Sequence, residues 1–374
     1  MNNVIAYRSV TSTLVRTKTS NVLVVLCGIC IPFVAAGCGQ TPAASFRLNL
    51  VESSKQRLTS SQEQQVATIL TALFGTPDEP LAPPEIGLDG AKLKLAAGPV
   101  RSDIVGRKNG LYREHCAHCH GVTGDGMGPT AAFLNPYPRD YRPGVFKFKS
   151  TERADKPTHD DLVMVLRNGL AGSSMPSFAL LSDAKIEALA EYVKYLSIRG
   201  EVELSLMRAY FELDDEDQGV LPQSREFLFE EIIDPVSEMW AVADDAIIDV
   251  PDMPSGLDMV ASIAKGKELF YGNKANCVKC HGVSGLGDGQ ANDYDDWNKV
   301  VFQAHKTVEG AAEQAGKAST WEMSAEERDE YRGELAWLDR FETVLDGNAL
   351  RPRTIRPRNL RQGVYRGGMR PLDL

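Results

Sequence analysis

Apolar residues recur at helical spacing along much of the chain. Val66, Ile69, Leu70 and Leu73 predict a helix from Ser60 to Phe74, with Ser60 and Ser61 as caps and Gly75-Thr76-Pro77 as its stop. Leu162, Val165 and Leu166 share the inner face of a helix over Asp161–Leu170. Ile186, Leu189, Ala190, Val193 and Leu196 do the same for a helix that Ser182 opens and that reaches Ser197, and Glu201–Leu213 prolongs it. Helical spacing returns around Trp240 in Phe227–Val250 and stops at Pro251-Asp252-Met253-Pro254. A capping box, Ser324-Ala325-Glu326-Glu327, precedes Leu335, Leu338, Phe341 and Leu345 at core spacing. Short leading helices carry Leu111-Tyr112 and Gly266–Phe270. The expected fold is mainly α.

The first stretch breaks this pattern. Arg8, Arg16 and Lys18 precede an apolar run, Val22–Ala36, that is too short to span a bilayer comfortably. Ala35-Ala36-Gly37-Cys38 follows, small residues at a cleavage point. The arrangement resembles a bacterial lipoprotein signal, which implies Cys38 as the lipidated residue and a membrane surface as partner. Ordinary secretion and an uncleaved anchor are the other readings. All three place the chain outside the cytoplasm, in the periplasm. The expected organisation is a 1–38 signal, a 39–100 extension with a Pro-rich strap over 77–90, a first domain over 101–200, a helical linker over 201–255 and a second domain over 256–374.

The chain has 374 residues, 43 % of them hydrophobic, enough for sizeable cores. A net charge of -10 gives no hint of nucleic-acid binding. Asp214-Asp215-Glu216-Asp217 reads as a solvated turn, or else as a docking patch for a basic partner.

The candidate chemistry lies in Cys116-Ala117-His118-Cys119-His120 and Cys277-Val278-Lys279-Cys280-His281. With seven cysteines and six histidines in the chain, chance puts such a pattern in a given window with a frequency on the order of 10⁻⁵. CxxCH reads as a c-type haem attachment site: two thiols add across the haem vinyl groups, and His120 or His281 falls beneath the iron. A redox dithiol, or one zinc site made from Cys116, Cys119, Cys277 and Cys280, also fits the cysteines but leaves both histidines unexplained. Cys27 and Cys30 leave with the signal, so no thiol remains for disulfides.

The two motifs belong to an internal repeat. His120-Gly121-Val122-Thr123-Gly124 is echoed by His281-Gly282-Val283-Ser284-Gly285, and Pro138–Lys147 by Pro357–Arg366. Arg139 and Arg358 occupy equivalent places and suit the forked pairing of a guanidinium with haem propionates, or else serve surface solubility. An insertion over about 290–350 separates the echoes in the second copy.

Leading helix, CxxCH, Gly-rich wrap, helix, Gly172-Ser173-Ser174-Met175-Pro176 and closing helix form an order that resembles class I c-type cytochromes. The resemblance implies tandem helical haem domains, two covalent haem c groups, and His120 with Met175 as axial ligands of the first iron. Met127 is too near His120 to reach the opposite face, Met164 reads as core, and His115, His118 and His159 read as surface residues. In the second copy the Met loop and closing helix are missing. The helix before that loop is missing too, and the copy is expected to be incomplete, as in a fragment or frame-shifted product of a longer cytochrome; the other readings add Met369 or His305 to His281 as the second ligand, or leave that position open.

The expected function is electron transfer among redox partners of a respiratory chain, with no bond chemistry by the protein. A di-haem peroxidase using an open second iron is the alternative, and a gas sensor ranks behind both.

Overall fold

The computed structural model describes residues 44–56, 58–100, 110–210, 212–213, 219–290, 313, 323–326, 350, 355–368 and 370. The expectations for Cys38 and the signal, the Asp214–Asp217 run, most of the insertion, His305 and Met369 lie outside them. Among the described residues the structure is helical. Gly75–Pro80 and Thr151–Ile247 are isolated bridges, and the described residues contain no strands. No described helix is long and apolar enough to cross a membrane.

The helices are α1 (Leu50–Lys55), α2 (Ser60–Phe74), α3 (Gly90–Ala96), α4 (Leu111–His115), α5 (Ala117–His120), α6 (His159–Asn168), α7 (Asp183–Ala209), α8 (Asp234–Ala241), α9 (Met259–Tyr271) and α10 (Val278–His281). A π-helical stretch, Glu226–Ile233, runs straight into α8.

The long helix α7 is the centre of the core. Its predicted face, Ile186, Leu189, Ala190, Val193 and Leu196, is buried, and so are Tyr192, Tyr195, Ile198, Val202 and Leu206. Burial on several sides follows from its neighbours: α2, α3, α4, α6 and α8 all pack against it. Ser182 is its N-cap by position, yet its side chain makes no capping bond. Aromatic rings fill the space between elements. Tyr195 meets Phe74 edge-on at 6.0 Å, and Tyr192 lies 4.9 Å from Tyr112.

Helix α2 has its predicted bounds but a different cap. Thr59, not Ser60 or Ser61, accepts from Gln62 N, and Gln62 returns the bond to Thr59 N. Helix α6 starts at His159, two residues before its predicted start, behind Thr158 as cap. His159 is not a free surface residue: its Nε2 donates to Glu187 at 2.7 Å, and Lys92 reaches the same carboxylate at 3.0 Å. This cluster joins α3, α6 and α7.

The extension belongs to the same core. Phe46 stacks under the guanidinium of buried Arg199 at 4.3 Å, and Arg199 pairs with Glu203 at 2.9 Å. Arg47 reaches the Gly-rich wrap, donating from its amide to Thr123 Oγ1 at 3.1 Å and from its guanidinium to Asp125 at 2.9 Å. Trp240 of α8 is also core. Its Nε1 donates to Glu201 at 2.8 Å, its ring meets Phe146 edge-on at 6.1 Å, and Lys156 pairs with the same Glu201. Burial raises the Glu201 pKa above the ordinary carboxylate value, and Lys156 opposes that shift.

Candidate haem sites

The backbone around each CxxCH motif is folded alike. In α5 and α10 one helical turn carries the cysteines and histidine, and Gly121 and Gly282 end the turns at φ +73° and +75°. The wraps then close by matching bonds. Gly126 N donates to His120 O at 3.0 Å and Gly287 N to His281 O at 2.9 Å. Tyr141 N donates to Gly124 O and Leu360 N to Gly285 O, both at 2.8 Å. A side chain cannot replace the third glycine of either wrap: a Cβ at Gly126 would lie 2.7 Å from Pro138 O, and at Gly287 2.1 Å from Pro357 O. The repeat therefore extends from sequence to hydrogen bonding, across an insertion in the second copy.

The histidines are held by the second echo. His120 Nδ1 lies 3.0 Å from Arg139 O. A carbonyl only accepts, so the proton sits on Nδ1 and the Nε2 lone pair is free for a metal. Tyr141 stacks on the imidazole at 4.6 Å. Burial lowers the His120 pKa to about 4, so the ring stays neutral, as ligation requires.

Cys116, Cys119 and His120 open onto a cavity of about 520 Å³, and Met175 and Pro176 line it too. The size falls within the range of cofactor pockets. The Met175 loop is stiffened from within: Leu170 N donates to Met175 O at 3.1 Å, and Met175 N donates to Ser173 Oγ at 3.2 Å. Burial and the neighbouring Cys119 push the Cys116 thiol up to about 12. A redox dithiol needs a thiolate of lowered pKa, so Cys116 does not fit that reading. Among the described residues no three His, Cys, Asp or Glu side chains gather at a metal-ion site, so the four thiols do not form a zinc site.

The donor set fits haem: two unpaired thiols, a neutral imidazole and a thioether on one cavity. An orphaned polar atom in a wall residue adds to the fit. Arg366, from the second copy, lines this cavity, and its Nε is buried without a hydrogen-bond partner. Burial and the charge of Arg358 lower the Arg366 pKa. Arg139 also lines the cavity. His115 is a half-buried wall residue that meets Phe178 edge-on at 6.0 Å, and His118 borders the cavity as an exposed surface residue. Met127 is absent from the lining, and Met164 is only partly buried, beside a smaller cavity under Arg370.

The second motif is more open. Cys277, Cys280 and His281 are half-buried, and α9 buries none of its residues. His281 Nδ1 lies 2.9 Å from Arg358 O, repeating the His120–Arg139 bond. Arg358 differs from its counterpart in one respect. Its guanidinium is spent on backbone, with Nη1 donating to Gly172 O and Nε to Val364 O, each at 3.0 Å. Sequence reasoning paired this arginine with propionates and missed Arg366 eight positions on. The second echo ends on Arg366, so its position was already marked.

Residues 106–193 match the family described as cytochrome c oxidase, cbb3-type, subunit III, and residues 263–338 match the cytochrome c family. A solved chain of the reducing HAO-like protein complex of Kuenenia stuttgartiensis is similar at 21 % identity and a TM-score of 0.38, over 70 % of this chain and 77 % of that one. No curated protein matches the chain. The two matched segments each contain one CxxCH motif in a helical setting, and two cytochrome c domains are recognised in tandem along the chain.

Proposed function

We propose that the chain is an exported electron carrier with one covalent haem at each CxxCH motif, passing electrons between proteins of a respiratory chain. The observation that carries this is the shared cavity wall of Cys116, Cys119, His120 and Met175, together with the repeated histidine–carbonyl bond at His281. Haem supplies a one-electron iron centre when bound. The protein does the rest. Cys116 and Cys119 would tether one edge of the first haem, and Cys277 and Cys280 the second. Arg139 O and Arg358 O keep the His120 and His281 protons on Nδ1, so that each ring presents its other nitrogen. Met175 supplies a neutral thioether that favours the reduced metal and raises the potential. Tyr141 and the core around α7 keep water from the His120 side.

Export and lipid anchoring through Cys38 are supported by the basic, apolar and small-residue order of the first 38 positions. The test is haem stoichiometry and redox titration on protein matured in a periplasm. Two covalent haems per chain, both reducible and without peroxide turnover, are expected. Colourless mature protein would end the proposal.

A further inference from the structure

The two candidate iron sites share one residue. Arg358 accepts the Nδ1 proton of His281 on its carbonyl at 2.9 Å, and its side chain crosses to the first domain. There Nη1 donates to Gly172 O at 3.0 Å, three residues before Met175. Gly172 has φ +68°, and a Cβ there would lie 2.0 Å from one guanidinium nitrogen and 2.4 Å from the other. The loop thus presents bare backbone where the guanidinium rests. The second fork bond, to Val364 O at 3.0 Å, fixes the side chain's direction. The segment beyond continues over the same loop's surroundings. Ile355 and Arg366 line the first cavity, and Gly367 lies against Phe148.

We propose that Arg358 is a positioning residue that couples the two haem sites, holding the Met175 loop closed over the first iron while orienting His281 at the second. This rests on the haem sites proposed above. The device is a clamp with two ends. A charge-assisted bond to a loop carbonyl stabilises the closed loop, and losing it increases the open fraction roughly tenfold. An added ligand that must displace Met175 gains apparent affinity in proportion to that open fraction. In this clamp the two ends support each other, so loosening the His281 end is expected to loosen the Met175 loop as well, and linkage makes that coupling reciprocal.

The experiment is imidazole titration of the ferric holoprotein, followed at the first haem, with the near-infrared thioether-to-iron band as a second signal. Arg358→Met is expected to raise the apparent imidazole affinity of the first haem roughly tenfold and to weaken that band. Arg358→Lys, with one donor in place of a fork, falls between. Arg361→Met, a change at an exposed neighbour in the same segment, leaves both signals where they were. The paired variant Cys277→Ala/Cys280→Ala keeps Arg358 but removes the second haem, and it shifts the first haem the same way. An unchanged imidazole affinity in either the Arg358→Met or the cysteine variant, with the first haem loaded, overturns the coupling and leaves the haem assignment standing. A wild-type chain without haem overturns the assignment instead.

Discussion

The imidazole of His281 is tied to the carbonyl of a residue 77 positions away, Arg358, by the bond that ties His120 to Arg139 only 19 positions away. The wrap on each side of that bond has the same glycine geometry. The insertion therefore leaves the second histidine's support unchanged, and both sites are expected to fail in the same way when the support is damaged.

Gly126→Ala and Gly287→Ala test this. Both positions have positive φ, +73° and +78°, and both face a proline carbonyl that a methyl group would strike. Backbone strain of about 1–3 kcal/mol adds to the clash. Each variant is expected to lose haem at its own site and keep it at the other. Haem-to-protein ratio and peptide mapping of the attached haem read the outcome. Equal loss at both sites from one substitution would contradict it.

Tyr141 is expected to matter through its ring more than its hydroxyl. The ring stacks on His120 and on Phe146, at 4.6 and 6.1 Å. Tyr141→Ala should cost about 3–5 kcal/mol of stability, as aromatic deletions in cores do. Tyr141→Phe should cost about 1 kcal/mol or less. Chemical denaturation of the holoprotein separates the two.

Arg366 predicts a change in potential. Arg366 lines the first cavity and brings a positive charge beside a centre that becomes less positive on reduction. Replacing it by Met should lower the first midpoint potential by about 30–60 mV, a three- to tenfold shift in the redox ratio. The second haem should move less. Potentiometric titration of the variant checks both.

Acid should weaken the joint between α3, α6 and α7. The hydrogen bond from His159, followed by that from Lys92, holds the Glu187 pKa below its ordinary value of 4.5. The folded state therefore releases this proton more readily than the unfolded chain. The contribution is present above pH 4.5 and fades as pH falls through the lowered value. The same contact raises the Lys92 pKa, so its share is lost only as pH climbs past the ordinary lysine value of 10.5. The partners are about a third exposed, so the effect is about 0.5–1 kcal/mol. Unfolding curves of Glu187→Gln should lack that share of the acid dependence between pH 5 and pH 3, taken as roughly the carboxylate range.

The helices and motifs were legible because each carries its own signal. The apolar spacing of Val66–Leu70 and Ile186–Leu196 is local, and both stretches form helices with those residues buried. The His–Gly–Val echo and the Pro–Arg echo marked the two halves of each wrap, and the histidine–carbonyl bonds join those halves. Other features depend on partners far away in sequence. Nothing near Arg47 announces Asp125, and nothing near Trp240 announces Glu201. The choice of Thr59 over Ser60 as cap turned on which residue keeps extended backbone, and spacing does not encode that. Arg358 shows the difference most plainly. Its carbonyl could be placed from the repeat, but its guanidinium crosses to the other domain, where no repeat offers a guide.

The span of α7 limits how the first haem fold can be moved between proteins. This helix passes without interruption from the residues that close the haem core to Glu201, where Lys156 and Trp240 meet. Cutting the chain at residue 200 would sever it in mid-course and leave Lys156 without its counter-charge. Any transplant of the first haem fold would have to carry both the preceding arm and the downstream tryptophan helix. Gene shuffling that respected only the borders of the family match would yield a part unable to stand alone.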